Sequence, residues 1–481
     1  MMKILFPAAL LATLASIGAV STGSAQTASP DSVALTIYNQ NFGVVRETRK
    51  LNIHDGIVRF TDVATQIDPT SVHFLSLTDP KAKVLEQNYE FDLVSADKLL
   101  QKYIDRDITV KTAGGAVYKG KLQSFDVGQI VLDQGENGGI AMIQRPQNIV
   151  DIQFGSLPDG LITRPSLVWK VATEKPGDQT VEIAYQTQGI SWNADYNLVL
   201  NDDETKADLG GWVTINNQSG GTFKDAKLKL VAGDVHRVQP PQLEERARFA
   251  IAGLQKAQEQ TGFEEKSFFE YHLYTLGRPA TVAQNQTKQI ELLSANTIPV
   301  KKIYTYRGSP YPFYGGLNIS DDFGSTSPNK KVNVQFEIDN KKENNLGMAL
   351  PKGKIRISKR DPADNSLEFI GEDQIDHTPK DEKIRVTTGD AFDIVGERKR
   401  TDFKLDSGRK TASETFEIKI RNHKDTPVEV LIKEILYRWN EWEITKSSDA
   451  WTKFDSNTIH IPVKIEKDGE KVVTYTVRYT W

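Results

Sequence analysis

The chain of 481 residues contains no cysteine. This absence excludes a thiol nucleophile, a disulfide framework, a zinc site with cysteine ligands, an iron–sulfur cluster and a lipid-modified cysteine. The net charge of −4 provides no overall attraction to nucleic acid, and a mean hydropathy of −0.45 leaves no room for a polytopic helical membrane protein. A chain of this length must therefore be stabilised by packing and hydrogen bonds alone.

Common catalytic and metal-binding motifs are also missing. The seven histidines are scattered singly, without a His-Glu-x-x-His pair, and no Gly-x-Ser-x-Gly elbow occurs. Ser95 begins a Ser-x-x-Lys match, but the Lys-Thr-Gly-like run at Lys111 follows it too closely for a penicillin-binding protein. We therefore expect no metal site, no cofactor and no catalytic residue, and we regard an enzyme as the less favoured class.

The first 25 residues have the pattern of a cleavable export signal. Lys3 supplies positive charge, residues 4–20 form an almost uninterrupted apolar run, and small residues precede Ala25. We expect cleavage between Ala25 and Gln26. The alternative, an anchoring helix, needs about 20 apolar residues with charged flanks. The sequence thus predicts a periplasmic or secreted protein with no transmembrane helix once the signal is removed.

Strict alternation of apolar and polar residues dominates the remaining chain. One run has its apolar members at Val332, Val334, Phe336 and Ile338. The same period recurs at residues 181–185, 196–200, 226–230, 416–420, 459–465 and 473–481. Alternation is typical of antiparallel strands with one buried face. It predicts a mainly β fold built of antiparallel β-sandwich domains, with a small barrel and one long helix.

The final run ends on Trp481 and resembles the last strand of outer-membrane β-barrels. Most other runs are shorter than the 9–11 residues that such barrels need. An outer-membrane-associated β protein is therefore kept as a secondary alternative.

Residues 95–155 predict a helix followed by five short strands. Ser95 is a plausible N-cap for a helix that continues to Ile104. The strand candidates lie at 108–111, 117–124, 130–133, 139–143 and 149–154. This order resembles an Sm-like or SH3-like small barrel. Because the unit is predicted to be exported and lacks a dense basic cluster, we interpret it as a structural or protein-contacting module and expect no nucleic-acid partner.

One long helix is predicted at residues 241–262. Pro240 and Pro241 open it and Gly262 ends it, while apolar residues recur at helical spacing on one face. A helix lying across a sandwich is favoured over a coiled-coil or partner-binding helix.

Residues 307–331 are rich in glycine, proline and serine and predict a long loop or linker. Aromatic residues are concentrated at and before it: Tyr304, Tyr306, Tyr311, Phe313 and Tyr314. Exposed aromatic rings stack on sugars or bind a protein partner. These five residues are the candidate partner-binding site. The alternative is that they pack the loop back onto the sandwich.

The predicted organisation has six parts. They are a signal peptide at 1–25, an N-terminal β domain at 26–94, the helix and small barrel at 95–155, a β-sandwich at 166–306 with the helix at 241–262, the aromatic segment at 307–331, and a C-terminal β-sandwich at 332–481.

Several segments resemble an uncharacterised bacterial family related to mucoidy inhibitor A. They are residues 189–196 (GISWNADY), 211–220 (GWVTINNQSG), 226–233, 271–276 (YHLYTL), 288–292, 369–373 (FIGED) and 389–393 (GDAFD). Together they span most of residues 166–481 in family order. The resemblance implies no activity, and it transfers no catalytic or ligand residue.

The large aromatic residues of these segments are suited to filling the space between sheets. We expect such structural roles for Trp192, Tyr196, Trp212 and Phe392.

The favoured hypothesis is an exported, non-enzymatic β protein that binds a cell-envelope protein or glycan. The main alternative is a hydrolase that acts on envelope polymers. The sequence names neither the ligand nor the oligomeric state.

Overall fold

The computed structural model describes residues 29–54, 56–136, 138–158, 161–233, 235, 263–268, 271–309, 313, 315–324 and 327–481. The predicted signal peptide, with Ala25 and Gln26, and the whole of the helix predicted at 241–262 lie outside these residues. The described residues are 64% strand and 2% helix, which confirms the mainly β class. Within the described residues, no helix is long and apolar enough to cross a membrane.

The described chain forms two compact units. The first contains residues 44–188 and 219–223 with the beginning of the chain, and the second contains residues 35–43, 189–218 and 224–481.

The N-terminal strands are long and mostly alternate in burial. They are β1 (Ser32–Tyr38), β2 (Phe42–Ile53), β3 (Gly56–Thr61), β4 (Ile67–Ser76) and β5 (Lys83–Glu90). A short helix, α1 (Ala96–Lys102), follows. Five short strands come next: β6 (Asp107–Thr112), β7 (Val117–Phe125), β8 (Gln129–Asp133), β9 (Ile140–Gln144) and β10 (Ile149–Gln153).

The helix and strands predicted within residues 95–155 are all confirmed. Ser95 caps α1, because its side chain accepts a hydrogen bond from the backbone N–H of Lys98 at 3.3 Å. The strands form one antiparallel sheet in the order β10-β6-β7-β8-β9. Its apolar core includes Leu100 from the helix and Leu122 and Leu132 from the sheet. Closure of this sheet into an Sm-like or SH3-like barrel stays a prediction.

Five further strands continue the chain: β11 (Ser166–Ala172), β12 (Gly177–Gln188), β13 (Ile190–Leu200), β14 (Lys206–Asn217) and β15 (Phe223–Ala232). In the first unit, β11 lies between β3 and β5 in a three-stranded antiparallel sheet, and β12 pairs with β4. Trp169 of β11 is fully buried and stacks on Phe60 with ring centroids 5.4 Å apart.

The second unit continues with seven strands and a short 3-10 helix at Lys342–Asn344. The strands are β16 (Phe263–Phe268), β17 (Tyr271–Leu276), β18 (Ala280–Val282), β19 (Gln286–Arg307), β20 (Lys331–Asp339), β21 (Gly353–Arg360) and β22 (Leu367–Ile375).

Seven more strands complete the chain. They are β23 (Lys383–Asp406), β24 (Thr411–Asn422), β25 (Val428–Ile435), β26 (Trp442–Ser447), β27 (Thr452–Lys453), β28 (Thr458–Ile465) and β29 (Glu470–Thr480).

A thirteen-stranded sheet dominates the second unit. Its main path is β22-β21-β13-β14-β19-β20-β23-β24-β29-β26. Most pairs are antiparallel, as predicted, but β13 pairs with β21 and β19 pairs with β25 in parallel. Because β19 and β20 pair across residues 307–331, that segment is a loop between neighbouring strands. The boundary predicted there does not separate two sheets.

Candidate functional site

The base of the loop at residues 307–331 is held by hydrogen bonds between its two ends. The Tyr306 hydroxyl donates to the Asn329 carbonyl at 2.9 Å, and the Asn329 side-chain amide donates to the Arg307 carbonyl at 2.7 Å. The Lys330 carbonyl accepts the N–H of Gly396 from the adjacent strand β23 at 2.9 Å. Both ends of the loop are therefore fixed to the sheet.

The second half of the loop wraps around the guanidinium of Arg438. One terminal nitrogen of Arg438 donates to the carbonyls of Asn318 at 2.9 Å and Ser320 at 2.8 Å. The other donates to the Phe323 carbonyl at 2.6 Å. Three loop carbonyls thus surround one buried cation. A cation in such a position holds the backbone of residues 318–323 in one conformation.

A buried carboxylate lies beneath this cation. The Glu414 side chain is fully buried and accepts hydrogen bonds from Arg438 at 2.8 Å and Arg400 at 3.2 Å. Arg400 also donates to the loop, to the Asp321 carbonyl at 2.7 Å and to the Asp321 carboxylate at 2.5 Å. Glu414 therefore neutralises both arginines that contact the loop.

A second buried ion pair lies near the loop base. Arg398 Nε donates to Glu434 at 2.8 Å, and both side chains are at most 1% exposed. The Tyr475 hydroxyl donates to the same Glu434 oxygen at 2.6 Å. The Arg398 guanidinium lies over the Phe416 ring, 3.8 Å from its centroid. We call the two arginine–glutamate pairs, with Arg400, the buried charge network.

The strand pattern explains why these charges are inside. Glu414 is in phase with the buried residues Phe416, Ile418 and Ile420 of β24, because side chains two positions apart share one face of a strand. Glu434 is likewise in phase with the buried residues of β25. A charged residue at an inward position was the signal in the sequence that could have indicated this network.

The ionisation states of the network follow from its neighbours. Burial alone would lower the pKa of Arg398, but the Glu434 carboxylate together with Tyr475 and Tyr437 outweighs it, and the pKa lies well above the ordinary value. Burial raises the pKa of Tyr475, and Glu434 adds to this effect. Burial also raises the pKa of Tyr437, and the nearby Glu414 carboxylate contributes. Arg398 is therefore charged and these two tyrosines are neutral at physiological pH.

Some buried polar atoms in and beside the network have no hydrogen-bond partner among the described residues. The buried polar atoms without a hydrogen-bond partner there include Arg398 Nη2, Glu414 Oε2, Glu434 Oε1, Arg438 Nε and Tyr479 Oη. Charges buried in this way contribute less stability than an apolar core of equal volume. The advantage that the network offers is a defined position for the loop.

Two glycines allow the loop backbone to approach the network. A Cβ atom on Gly308 would lie 2.5 Å from Glu434 Oε1 and 2.6 Å from Arg398 Cδ. Gly324 has a φ of +75°, and a Cβ there would lie 2.0 Å from the Tyr437 hydroxyl. Larger residues at either position require the buried side chains to move.

The five predicted partner-binding aromatics occupy different environments. Tyr306 is fully buried in the core of the second unit, so its prediction as a surface contact is wrong. The reason is that β19 places it on the inward face, opposite Val332. Tyr304 is half-buried and packs against the same core, and Phe313 is half-buried. Tyr311 and Tyr314 lie outside the described residues.

Of the four aromatic residues predicted to be structural, two are buried and two are exposed. Trp192 and Tyr196 are buried, and the Tyr196 hydroxyl donates to the Pro351 carbonyl at 2.8 Å. Trp212 is 39% exposed and Phe392 is 96% exposed, so their prediction as core residues is wrong.

The exposure of these two residues follows from their strand positions. The register between β20 and β23 shifts between the pairs Asn333↔Asp390 and Lys331↔Val395. From one pair to the next, β23 advances by five residues while β20 advances by two. The extra residues, Phe392 among them, lie outside the regular pairing. Trp212 lies at an outward position of β14, between the buried residues Gly211 and Val213.

Metal binding finds no support in the part of the chain that the structure describes. No group of three or more histidine, aspartate or glutamate side chains there is placed to hold a metal ion.

These observations define a mainly β, cysteine-free protein whose second unit carries a loop fixed by buried charges. Residues 181–481 match the family described as "Domain of unknown function (DUF4139)", and the chain belongs to this family. No curated protein matches the chain. The matched region includes the loop, the buried charge network and the segment 189–196.

Proposed function

We propose that this protein is exported, acts without catalysis, and binds a protein or glycan of the cell envelope through the loop at residues 307–331. The observation that carries the proposal is the attachment of this loop at its base and along residues 318–323 to buried side chains. A segment held in one conformation loses little entropy when it binds, so the attachment of the base and of residues 318–323 favours recognition.

Export is proposed from the first 25 residues, where charge, an apolar run and small residues follow in the order of a cleavable signal. The relation to mucoidy inhibitor A is proposed from the sequence segments named above. Neither proposal depends on the loop.

The proposed contact residues are Tyr311, Phe313 and Tyr314. Next to them, Leu317 and Ile319 are 38% and 39% exposed. These two side chains alternate with Asn318 and Ser320, whose carbonyls bind Arg438. Residues 317–320 therefore turn polar backbone inward and present apolar side chains outward, an arrangement suited to a partner surface.

The experiment replaces Tyr311, Phe313 and Tyr314 together by alanine in the mature protein. Binding is measured by cosedimentation with purified peptidoglycan sacculi, for the glycan, and by crosslinking in envelope extract, for the protein. We expect binding to fall sharply while the melting temperature changes by less than about 2 °C, since surface substitutions cost little stability.

Phe392→Ala is the matched control, because it removes an exposed aromatic elsewhere in the same unit. Equal binding by the triple variant and the original protein would refute the proposal. A large loss of melting temperature in the triple variant would show that the three aromatics are packed into the fold.

A further inference from the structure

We propose that a polar groove in the second unit binds a short neutral oligosaccharide. The groove has a volume of about 620 Å³. It is lined by residues 192–195 of β13, by residues 351–354 at the start of β21, and by Gln374, Asp376 and His377 at the end of β22 and just after it, together with Asn39 and Gln40. This proposal goes beyond the proposed function, because the groove shares no residue with the loop at 307–331.

Backbone contacts and hydrogen bonds from two side chains hold the walls of the groove in place. A Cβ atom on Gly353 would lie 2.2 Å from the Ala194 carbonyl oxygen, so only glycine allows β21 to approach β13 this closely. The Tyr196 hydroxyl bonds the Pro351 carbonyl at 2.8 Å from inside the fold. The indole N–H of Trp192 donates to the Val231 carbonyl at 3.2 Å. The shape of the groove is therefore set by the fold itself.

The polar groups of the groove are oriented by their neighbours. Asp195 accepts hydrogen bonds from the Asn193 side chain at 2.8 Å and the Thr214 hydroxyl at 2.7 Å. His377 Nδ1 accepts the backbone N–H of Lys352 at 3.1 Å, so in the neutral ring Nε2 carries the proton and is the donor. Hydroxyl groups of a sugar both donate and accept, and this set of groups matches them.

One groove residue has an unsatisfied atom. The side-chain oxygen of Asn39 is buried and has no hydrogen-bond partner among the described residues. Buried polar atoms are nearly always paired in native proteins. A ligand hydroxyl in the groove is a chemically suitable donor to this atom once the Asn39 side chain turns toward it.

The charges of the groove favour a neutral ligand. Two carboxylates, Asp195 and Asp376, are matched by two ammonium groups, Lys352 and Lys354. A site for phosphate or another polyanion would have an excess of cations. The volume also lies within the range of about 300–1,000 Å³ that small-molecule sites occupy. Balanced charge and side-chain amides together fit an uncharged polyhydroxy compound.

The test uses the mature protein with cellobiose, chitobiose and maltose as separate probes, in saturation-transfer NMR followed by titration calorimetry. We expect transfer to at least one disaccharide at about 10 mM, where even millimolar binding is detectable. Asn193→Ala and His377→Ala should each weaken that binding about five- to tenfold, the effect of one lost hydrogen bond. Both side chains are exposed, so these variants should fold.

Asn197→Ala is the matched control, because Asn197 is exposed on the same strand and face but does not line the groove. It should bind the sugar normally, and so should the triple alanine variant of the loop. Absence of transfer from all three disaccharides would overturn the proposal. So would unchanged binding in both groove variants, or tighter binding of glucose 6-phosphate or a short peptide than of the disaccharides.

Discussion

Removal of Arg398 should destabilise the second unit more than most single substitutions do. Arg398→Met keeps much of the apolar volume but leaves the Glu434 carboxylate, which is fully buried, without its cation. Only the Tyr475 hydroxyl, at 2.6 Å, remains among the hydrogen bonds to that side chain described above. Breaking a buried ion pair in this way costs about 3–5 kcal/mol. We expect the free energy of unfolding to fall by that amount.

A second substitution distinguishes the cost of leaving the Glu434 carboxylate without a cation from the cost of lost packing around Arg398. In the double variant Arg398→Met/Glu434→Gln, the buried charge is gone, while the glutamine oxygen still accepts the Tyr475 hydroxyl. The double variant should therefore be more stable than Arg398→Met alone, by about 2–3 kcal/mol. Stabilities are compared by urea unfolding followed by tryptophan fluorescence, with the slope m checked for constancy.

The reasoning fails if Arg398→Met costs less than about 1 kcal/mol, since Glu434 would then be hydrated or protonated without penalty. It also fails if the costs of the two single substitutions simply add in the double variant, because residues in direct contact should show coupling.

Three further predictions concern other positions. Gly308→Ala should lower the free energy of unfolding by about 1–3 kcal/mol, because the added methyl group overlaps the buried ion pair. Gly316→Ala is the control and should be nearly neutral, because a methyl group there meets nothing within 4 Å. Equal melting temperatures for the two variants would contradict this prediction. Burial opposes ionisation of Glu337, but the neighbouring cations Lys383 and Arg385 outweigh this effect and hold the pKa of Glu337 below its usual value. The ionised carboxylate therefore stabilises the folded protein at pH values above its unfolded-state pKa, and this stabilisation is lost as the pH falls through its folded-state pKa. Glu337→Gln should accordingly flatten the dependence of the melting temperature on pH below about 4.5, and an unchanged slope would count against it. Phe392→Ala should change stability by less than about 0.5 kcal/mol, whereas Tyr196→Ala should cost about 3–5 kcal/mol in the same thermal scan; a comparable loss for both would be inconsistent with their burial.

Alternation and turn residues predicted the strands well where each strand has one buried and one exposed face. All five strands within residues 95–155 and the Ser95 cap were predicted from local signals alone. The parallel pairs β13–β21 and β19–β25 were not predictable in this way. They join segments far apart in the chain, and no local pattern specifies which strands become neighbours.

Individual aromatic residues show the same limit. Trp192 and Tyr196 lie at inward positions of a regular strand, and their burial was predicted correctly. Phe392 lies where the register of β23 shifts, and a shift depends on the partner strand rather than on the local sequence. The prediction for Tyr306 failed differently, because composition suggested a loop aromatic while the strand extended to Arg307.

The buried charge network was missed because charged residues within a strand were assigned to the exposed face. Glu414 and Glu434 break that assumption, since each is in phase with apolar neighbours that are buried. Their arginine partners come from other strands or from the chain after a strand, so pairing could be recognised only in three dimensions.

The three carbonyls around Arg438 also have a consequence for proteolysis. A protease can cleave residues 318–323 only after the segment leaves the guanidinium, and that exposes a buried cation together with the carboxylate beneath it. Local opening therefore costs the three hydrogen bonds that the guanidinium donates to these carbonyls. These hydrogen bonds should slow cleavage of residues 318–323, a protection that the cysteine-free chain provides without a disulfide.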